Sequence, residues 1–265
     1  MSAIVFESVY RYFTRNGKSF PALDGIDLTV ADNEVVALVG PSGCGKTTCL
    51  RLAAGFEVPT KGRVTVGGQP VRGPGPDRAV VFQQFALFPW KNVEDNIAFG
   101  LRNQGASAST RRERVSDVIN LMGLEGYETA YPHQLSGGMQ QRVAIARAYV
   151  LDPDALLMDE PFGALDAQTR IVMQEELVRI ARVNPRTVLF ITHAVDEAVY
   201  LADRVAVMTR RPGRIKEILD VHRVRNTERW NDRERIEDVM DLESFVHLRT
   251  HIWRSLREEK IGAAP

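Results

Sequence analysis

The sequence predicts an α/β fold: a mixed sheet core, antiparallel strands ahead of it, and an inserted block of helices. Three observations carry this. Gly40-Pro41-Ser42-Gly43-Cys44-Gly45-Lys46-Thr47 fits the phosphate-loop pattern G-x-x-x-x-G-K-[ST] without a mismatch. The loop stands in the required context, with a short apolar, β-branched run from Glu34 to Val39 before it and a helical pattern from Lys46 to Ala54 after it. Farther on, apolar residues change to helical spacing from Val93 to Met122 before strand-like runs return.

The loop's chemistry follows from its residue types. Glycines let backbone N–H groups turn inward around a phosphate, and the helix beginning at Lys46 aims its positive end at the same point. Lys46 is placed to reach the β and γ phosphates, and Thr47 to offer a hydroxyl to Mg²⁺. Cys44, between glycines and beside Lys46, is expected to favour the thiolate.

Composition narrows the classes. With 265 residues, 44% hydrophobic and 26% charged, the chain has the make-up of a globular protein with a sizeable core. Lys plus Arg equals Asp plus Glu at 34 each, so no overall field draws it to nucleic acid, and no nucleic-acid partner is expected. No apolar run reaches the length of a membrane span, and Met1 to Glu7 lacks the pattern of a signal peptide, so a cytoplasmic location is expected. Cys44 and Cys49 have no partners at metal-ligand spacing, and neither a disulfide nor a zinc site is expected.

In order, Ile4 to Val9 and Gly25 to Val30 read as antiparallel strands. Between them, Tyr10-Arg11-Tyr12-Phe13 reads either as packing or as a ring stacked on a nucleotide base. Gly62 to Val66 and Ala79 to Phe82 are strand candidates split by the turn Gly73-Pro74-Gly75-Pro76. Val93 to Leu101 and Arg111 to Met122 read as helices, the second stopped by Gly123. Leu135-Ser136-Gly137-Gly138-Met139-Gln140 then leads into a helix continuing through Val143 to Val150, which puts Ser136 and the glycine pair at a helix start.

Ala155 to Met158 reads as a buried strand ending in Asp159-Glu160, where Asp159 faces the Mg²⁺ shell and Glu160 polarises the water that attacks the γ-phosphate. Ala167 to Ala181 reads as a helix and Thr187 to Ile191 as a strand that ends in His193, placed to hold the γ-phosphate or orient the water. Ala198 to Ala202 reads as a helix, and Arg204 to Met208 and Arg214 to Leu219 as edge strands about Arg211-Pro212-Gly213.

These pieces, in this order and over nearly the whole chain, resemble the ATP-binding cassette (ABC) family of transport ATPases. Gly40 to Thr47 is similar to the Walker A loop, Gln83 to the Q-loop glutamine and Leu135 to Gln140 to the family signature. Leu156 to Glu160 is similar to Walker B with its catalytic glutamate, Asp166 to the D-loop aspartate and His193 to the switch histidine. The implied fold is a P-loop NTPase of ABC type, with a RecA-like mixed sheet core, an antiparallel β subdomain and an inserted α-helical subdomain. The implied activity is Mg²⁺-dependent ATP hydrolysis with Glu160, His193 and Gln83 as catalytic residues. The resemblance puts ATP against Phe13 (with Tyr12 as the alternative ring on adenine), Gly40, Pro41, Ser42, Gly43, Cys44, Gly45, Lys46, Thr47 and Thr48, and Mg²⁺ against Thr47, Gln83 and Asp159.

The same resemblance implies a head-to-tail homodimer, in which Leu135, Ser136, Gly137, Gly138 and Gln140 of one copy face the γ-phosphate on Lys46 of the other. Pro89-Trp90, Gly75-Pro76-Asp77-Arg78 and Arg211-Pro212-Gly213-Arg214 are similar to hallmarks of importer ATPases for nitrate, taurine and alkanesulfonates. That subtype implies membrane permease subunits, received in a groove at Phe88, Pro89 and Trp90, and indirectly an extracytoplasmic solute-binding protein. The chain would then sit on the cytoplasmic face of the inner membrane, held there peripherally by the permease. Internal packing is the other reading of Phe88 to Trp90. Ala194 stands where the family commonly has Asp, and Gln84-Phe85-Ala86 is an atypical stretch.

The ATPase domain is expected over residues 1–220, with its helical insert at about 85–147. An amphipathic tail follows over 221–265, where Ile236, Val239, Met240, Phe245, Leu248, Ile252, Trp253 and Leu256 recur at helical intervals and pack on the main domain. A cassette protein of DNA repair or translation is the rival class, but those carry two cassettes or a long coiled-coil insert. A catalytically dead module conflicts with the joint presence of Lys46, Glu160 and His193.

Overall fold

The computed structural model describes residues 3–15, 17–233 and 235–261. The domain limits expected from sequence also reach residues 1, 2, 16, 234 and 262–265, which lie outside the described residues. The chain opens on an antiparallel hairpin of β1 (Ile4–Arg15) and β2 (Lys18–Val30). Both strands run farther than the sequence suggests. Register shifts between Phe6 and Val9, Val9 and Arg11, and Arg11 and Tyr12 break the period-2 alternation from which a strand is read. The aromatic cluster at Tyr10 to Phe13 therefore belongs to β1.

Next come β3 (Val35–Val39), the phosphate loop and α1 (Lys46–Ala54). β4 (Lys61–Val66) and β5 (Gln69–Pro70) return to the hairpin, making a four-stranded sheet of order β2-β1-β4-β5. β6 (Arg78–Val81) leads to the helices α2 (Val93–Asn103), α3 (Ala108–Leu121) and α4 (Gly137–Tyr149). The chain then alternates through β7 (Ala155–Asp159), α5 (Ala167–Val183), β8 (Val188–Ile191), α6 (Val195–Leu201), β9 (Arg204–Met208) and β10 (Ile215–Asp220). The second sheet has the order β10-β9-β3-β8-β7-β6, parallel throughout except for β10.

The central strands of this sheet are apolar along their length, apart from Asp159 at the end of β7 and Arg204 at the start of β9, because both of their faces are covered. Val36 and Leu38 of β3, Leu157 of β7, Leu189 of β8 and Ala206 of β9 pack with α1 and the antiparallel sheet. Their neighbours Ala37, Val39, Leu156, Met158, Phe190, Val205 and Val207 pack on the other side with α4, α6 and the C-terminal helices. β9 lies between β3 and β10, which corrects its reading as an edge strand; β10, half-buried along its length, is one edge of the sheet and β6 the other.

After β10 come α7 (Val221–Thr227), α8 (Ile236–Met240) and α9 (Glu243–Ile261). Trp230, Val239, Phe245, Leu248 and Ile252 join the core shared with α6 and the central sheet, and Ile236 is fully buried. Burying a large apolar side chain contributes roughly 1.5–3 kcal/mol, so this set fastens the tail to the domain. Trp253 is the exception: it stands one step off the stripe of Phe245, Leu248 and Ile252 and is 54% exposed.

Candidate functional site

Phosphate binding is prepared by the way β3 hands over to α1. Gly45 takes φ 108°, and a Cβ there would lie 2.5 Å from Leu23 Cδ2, so only glycine allows both the turn and the close packing. No side chain caps the start of α1, which leaves the loop's N–H groups for an anion. Lys46 is folded back along the loop, its Nζ donating to the carbonyls of Gly40 at 2.8 Å and Pro41 at 3.3 Å, with only 9% of the residue exposed.

Cys44 does not meet its expectation. Its thiol is buried against Gly40 and Lys46, and burial raises its pKa by more than the nearby Lys46 ammonium lowers it. The electropositive setting is present, but water is excluded from it. Cys44 can meet a phosphate only through its backbone.

A cleft of about 410 Å³ opens over the loop and is lined by Phe13, Ala22, Ser42, Gly43, Gly45, Lys46, Thr47, Thr48, Glu160, His193 and Arg211. Tyr12, next to Phe13 on β1, is not in the lining, as expected for adjacent strand residues that point to opposite faces. The Arg11 guanidinium lies 4.6 Å from the Phe13 centroid and is ion-paired with Glu57.

Glu160 sits at the mouth of β7 with φ 46°, its N–H held by the carbonyl of Ile191 at 2.9 Å. One carboxylate oxygen, Oε2, takes a hydrogen bond from Gln83 Nε2 at 3.2 Å and lies 3.2 Å from His193 Nδ1. Two residues far apart in sequence, Gln83 and His193, thus meet at one acid. The backbone N–H of Ala194 donates to Thr192 Oγ1 at 3.0 Å, so the chain beside His193 is held in place without the aspartate that usually follows the histidine. Asp159 is pushed above the ordinary carboxylate range by burial first and by the charge of Glu160 second. A cation beside these two acids would relieve that repulsion.

The signature residues are elsewhere. Ser136 caps α4 by accepting from the Met139 N–H at 3.3 Å, and Gln140 Nε2 donates to the carbonyls of Pro132 at 3.1 Å and Leu135 at 3.2 Å. Leu135 is buried, Gly137 is exposed, and a Cβ on Gly138 would lie 2.7 Å from Thr169 Cγ2. Ser136 and Gly138 border a separate hollow with Gln168 and Thr169, sharing no residue with the phosphate cleft. Asp166 caps α5, and the hydrogen bonds it accepts from Thr169 hold its carboxyl below the usual range.

Phe88, Pro89 and Trp90 form a surface loop pinned by buried Asn96, which accepts from the Phe88 N–H at 2.8 Å and donates to the carbonyls of Phe88 at 3.2 Å and Lys91 at 2.9 Å. Phe88 packs on Phe99 with ring centroids 4.5 Å apart, while Trp90 is 72% exposed. Ala22 and Arg211 are the cleft residues to which sequence reading gave no site role, and the spatial approach of the 209–214 turn to the loop discloses the charged one.

The ABC transporter family profile matches residues 23–163. An uncharacterized ABC transporter ATP-binding protein of Methanocaldococcus jannaschii is 51% identical over 253 residues, covering 96% of this chain and 91% of its own length. The taurine import ATP-binding protein TauB of Burkholderia thailandensis is 52% identical over 204 residues, or 77% of this chain and 78% of that one. Among solved structures, the ATP-binding cassette MJ0796, a dimer in a post-hydrolysis state bound to ADP and Pi, superposes with a TM-score of 0.70 at 28% identity, covering 82% of this chain and 98% of that one. Cassette cbiO1 of Clostridium perfringens, part of the transporter complex cbiONQ, gives 0.74 at 26%, over 85% and 91%. Sequence likeness along nearly the full chain and the same two-sheet architecture lead to one conclusion: the chain belongs to the ABC transporter family, as an ATP-hydrolysing cassette.

Proposed function

We propose that this cassette powers an importer of a small solute such as taurine, an alkanesulfonate or nitrate, working as a head-to-tail homodimer under a membrane permease. The observation that carries the catalytic part is the meeting of Gln83 and His193 at Glu160 on the wall of the Lys46 cleft. The importer part is supported by the likeness to the taurine import protein and by Trp90, a bare aromatic on a pinned loop. Among the described residues no helix is long and apolar enough to cross a membrane. The cassette would reach the cytoplasmic face of the membrane through the permease, and a solute-binding protein outside would deliver the solute.

In this reading Phe13 stacks on adenine and the N–H groups from Ser42 to Thr48 enclose the phosphates. Lys46 leaves the Gly40 and Pro41 carbonyls for the β and γ oxygens. Thr47, Gln83 and Asp159 would hold Mg²⁺, which supplies positive charge to the phosphate oxygens. Glu160 polarises a water in line with the γ-phosphorus; the water's oxygen bonds to phosphorus, the bond to the β-phosphate oxygen breaks, and ADP leaves with the electron pair. His193 steadies the γ-phosphate. The separate placement of Ser136 and Gly138 is what a two-copy sandwich requires, since each copy would close the other's cleft.

The test is Glu160→Gln, alone and with Ser136→Arg. Hydrolysis should fall roughly 10²- to 10⁴-fold with nucleotide affinity nearly unchanged, and ATP but not ADP should shift the protein from monomer to dimer in size-exclusion chromatography. Adding Ser136→Arg should abolish the shift. Wild-type hydrolysis by Glu160→Gln would remove the role given to Glu160, and an ATP-dependent dimer in the double variant would remove the sandwich. ATPase stimulation in vesicles carrying the permease, measured with each solute and its binding protein, tests the importer assignment.

A further inference from the structure

The 209–214 turn is built against the phosphate loop. The N–H of Gly213 donates to the carbonyl of Ala22 at 2.9 Å, and the N–H of Asp24 donates back to the carbonyl of Gly213 at 3.0 Å. A Cβ on Gly213 would lie 2.0 Å from the Cys44 carbonyl oxygen, so only glycine lets the turn come this close. Thr209 Oγ1 donates to the Pro212 carbonyl at 3.2 Å, and Arg214 Nε donates to Asp24 at 2.9 Å. The turn thus holds its tip in a fixed place beside the cleft.

Arg211 is at that tip. Its Nε donates to the carbonyl of Pro21 at 3.1 Å, and its guanidinium lies 4.2 Å from the Phe20 centroid. Phe20 pairs with Phe13 across the hairpin, their centroids 6.3 Å apart. One nitrogen and one face of the guanidinium are therefore committed, while among the described residues no carboxylate pairs with it. Its charge enters a cleft whose one other lining cation, Lys46, is tied to the far end of the loop at Gly40 and Pro41. Arg11, near the Phe13 ring but not in the cleft lining, is already ion-paired with Glu57.

We propose that Arg211 is a nucleotide-binding residue, its free Nη donors engaging the α-phosphate and ribose end of the nucleotide between Phe13 and the loop. Lys46 and the loop hold the β and γ phosphates, and Arg211 supplies the second cation at the end where no other lining residue carries positive charge. A guanidinium pre-set by stacking and by one hydrogen bond loses little freedom on binding, which suits it to this task better than a mobile lysine.

This proposal rests on the nucleotide assignment of the cleft, and one set of calorimetric titrations separates the two. Full-length wild type, Arg211→Met and Arg211→Lys are titrated with ATP and with ADP at several salt concentrations, and steady-state ATPase is followed alongside. Arg211→Met keeps the apolar stem on Phe20 but removes the charge. It should weaken ATP and ADP alike, by roughly 10- to 100-fold, raise KM with kcat unchanged, and flatten the salt dependence of binding. Arg211→Lys should recover part of the loss. A loss confined to ATP would put Arg211 at the γ-phosphate and overturn the proposal, as would wild-type affinity in Arg211→Met. A loss with unchanged salt dependence would reduce Arg211 to packing and equally overturn it. If wild type itself binds neither nucleotide, the cleft assignment fails as well.

Discussion

Glu197 offers a test of the site's electrostatics that needs no nucleotide. It lies in the first turn of α6, just beyond His193, and is 4% exposed, with Oε1 unpartnered among the described groups. Burial pushes its carboxyl up to about 7; a hydrogen bond from Thr192 and the charge of Arg170 pull the other way, and Glu160 adds a small push upward. The unfolded chain releases this proton near 4.5, the group's ordinary value. Between that value and about 7 the folded state binds a proton that the unfolded state has lost, so ν_U is smaller than ν_N and stability falls as pH rises. The loss is complete above the folded value. A displacement of this size corresponds to about 3 kcal/mol, or roughly 1 M in the urea midpoint for a chain of this length.

Glu197→Gln keeps shape and hydrogen bonding but cannot titrate. Urea midpoints for wild type and variant at pH 5, 6, 7 and 8 isolate its contribution, because every other titrating group is common to both. The variant should gain on wild type steadily from pH 5 to 7, and the gap should then level off. Parallel curves across this range would refute the buried, proton-holding Glu197. A gap that widens toward low pH would show that the carboxylate is stabilised in the fold, the opposite of what its surroundings imply.

Two further outcomes follow from individual side chains. Cys44 and Cys49 are both buried with raised pKa values, so a maleimide should modify the folded protein slowly and both thiols promptly in urea; fast labelling of one thiol in the native state, blocked by Mg-ATP, would restore the activated-thiol expectation. Trp90→Ala removes a 72% exposed ring, so urea stability should stay within about 0.5 kcal/mol of wild type. Retention on the permease in pull-down should fall at least about 30-fold if the ring is an interface anchor, and retention at the wild-type level would count against the docking loop.

Legibility in the sequence tracked the number of covered faces. β3, β7 and β8 lie between two cores, so they are apolar up to the Asp159 that ends β7 and show as unbroken runs. β1 and β2 are covered on one side only, and three register shifts scramble their alternation, so the part of the hairpin between Val9 and Gly25 was not read as strand. The start of α4 was legible at Ser136 although Gly137 and Gly138 carry poor helix propensity: the serine caps the helix, and a Cβ on Gly138 would meet Thr169 of α5.

The same division applies to the cleft. Loop motifs such as Gly40 to Thr47 announce themselves because backbone geometry and chemistry are set by neighbours in sequence. The places of Arg211 at the cleft and of Glu197 in the core do not show in sequence, since what matters about each is made by distant residues: Phe20, Pro21 and Cys44 for the turn bearing the first, and Arg170, Thr192 and Glu160 for the second. Cys44 shows the converse error. Its sequence neighbours argue for a thiolate, but the packing of Gly40 against its sulfur and of Gly213 against its carbonyl removes the water that a thiolate needs. A local motif fixes where charge is offered in this protein; the depth of burial, which no short window contains, decides which groups can carry it.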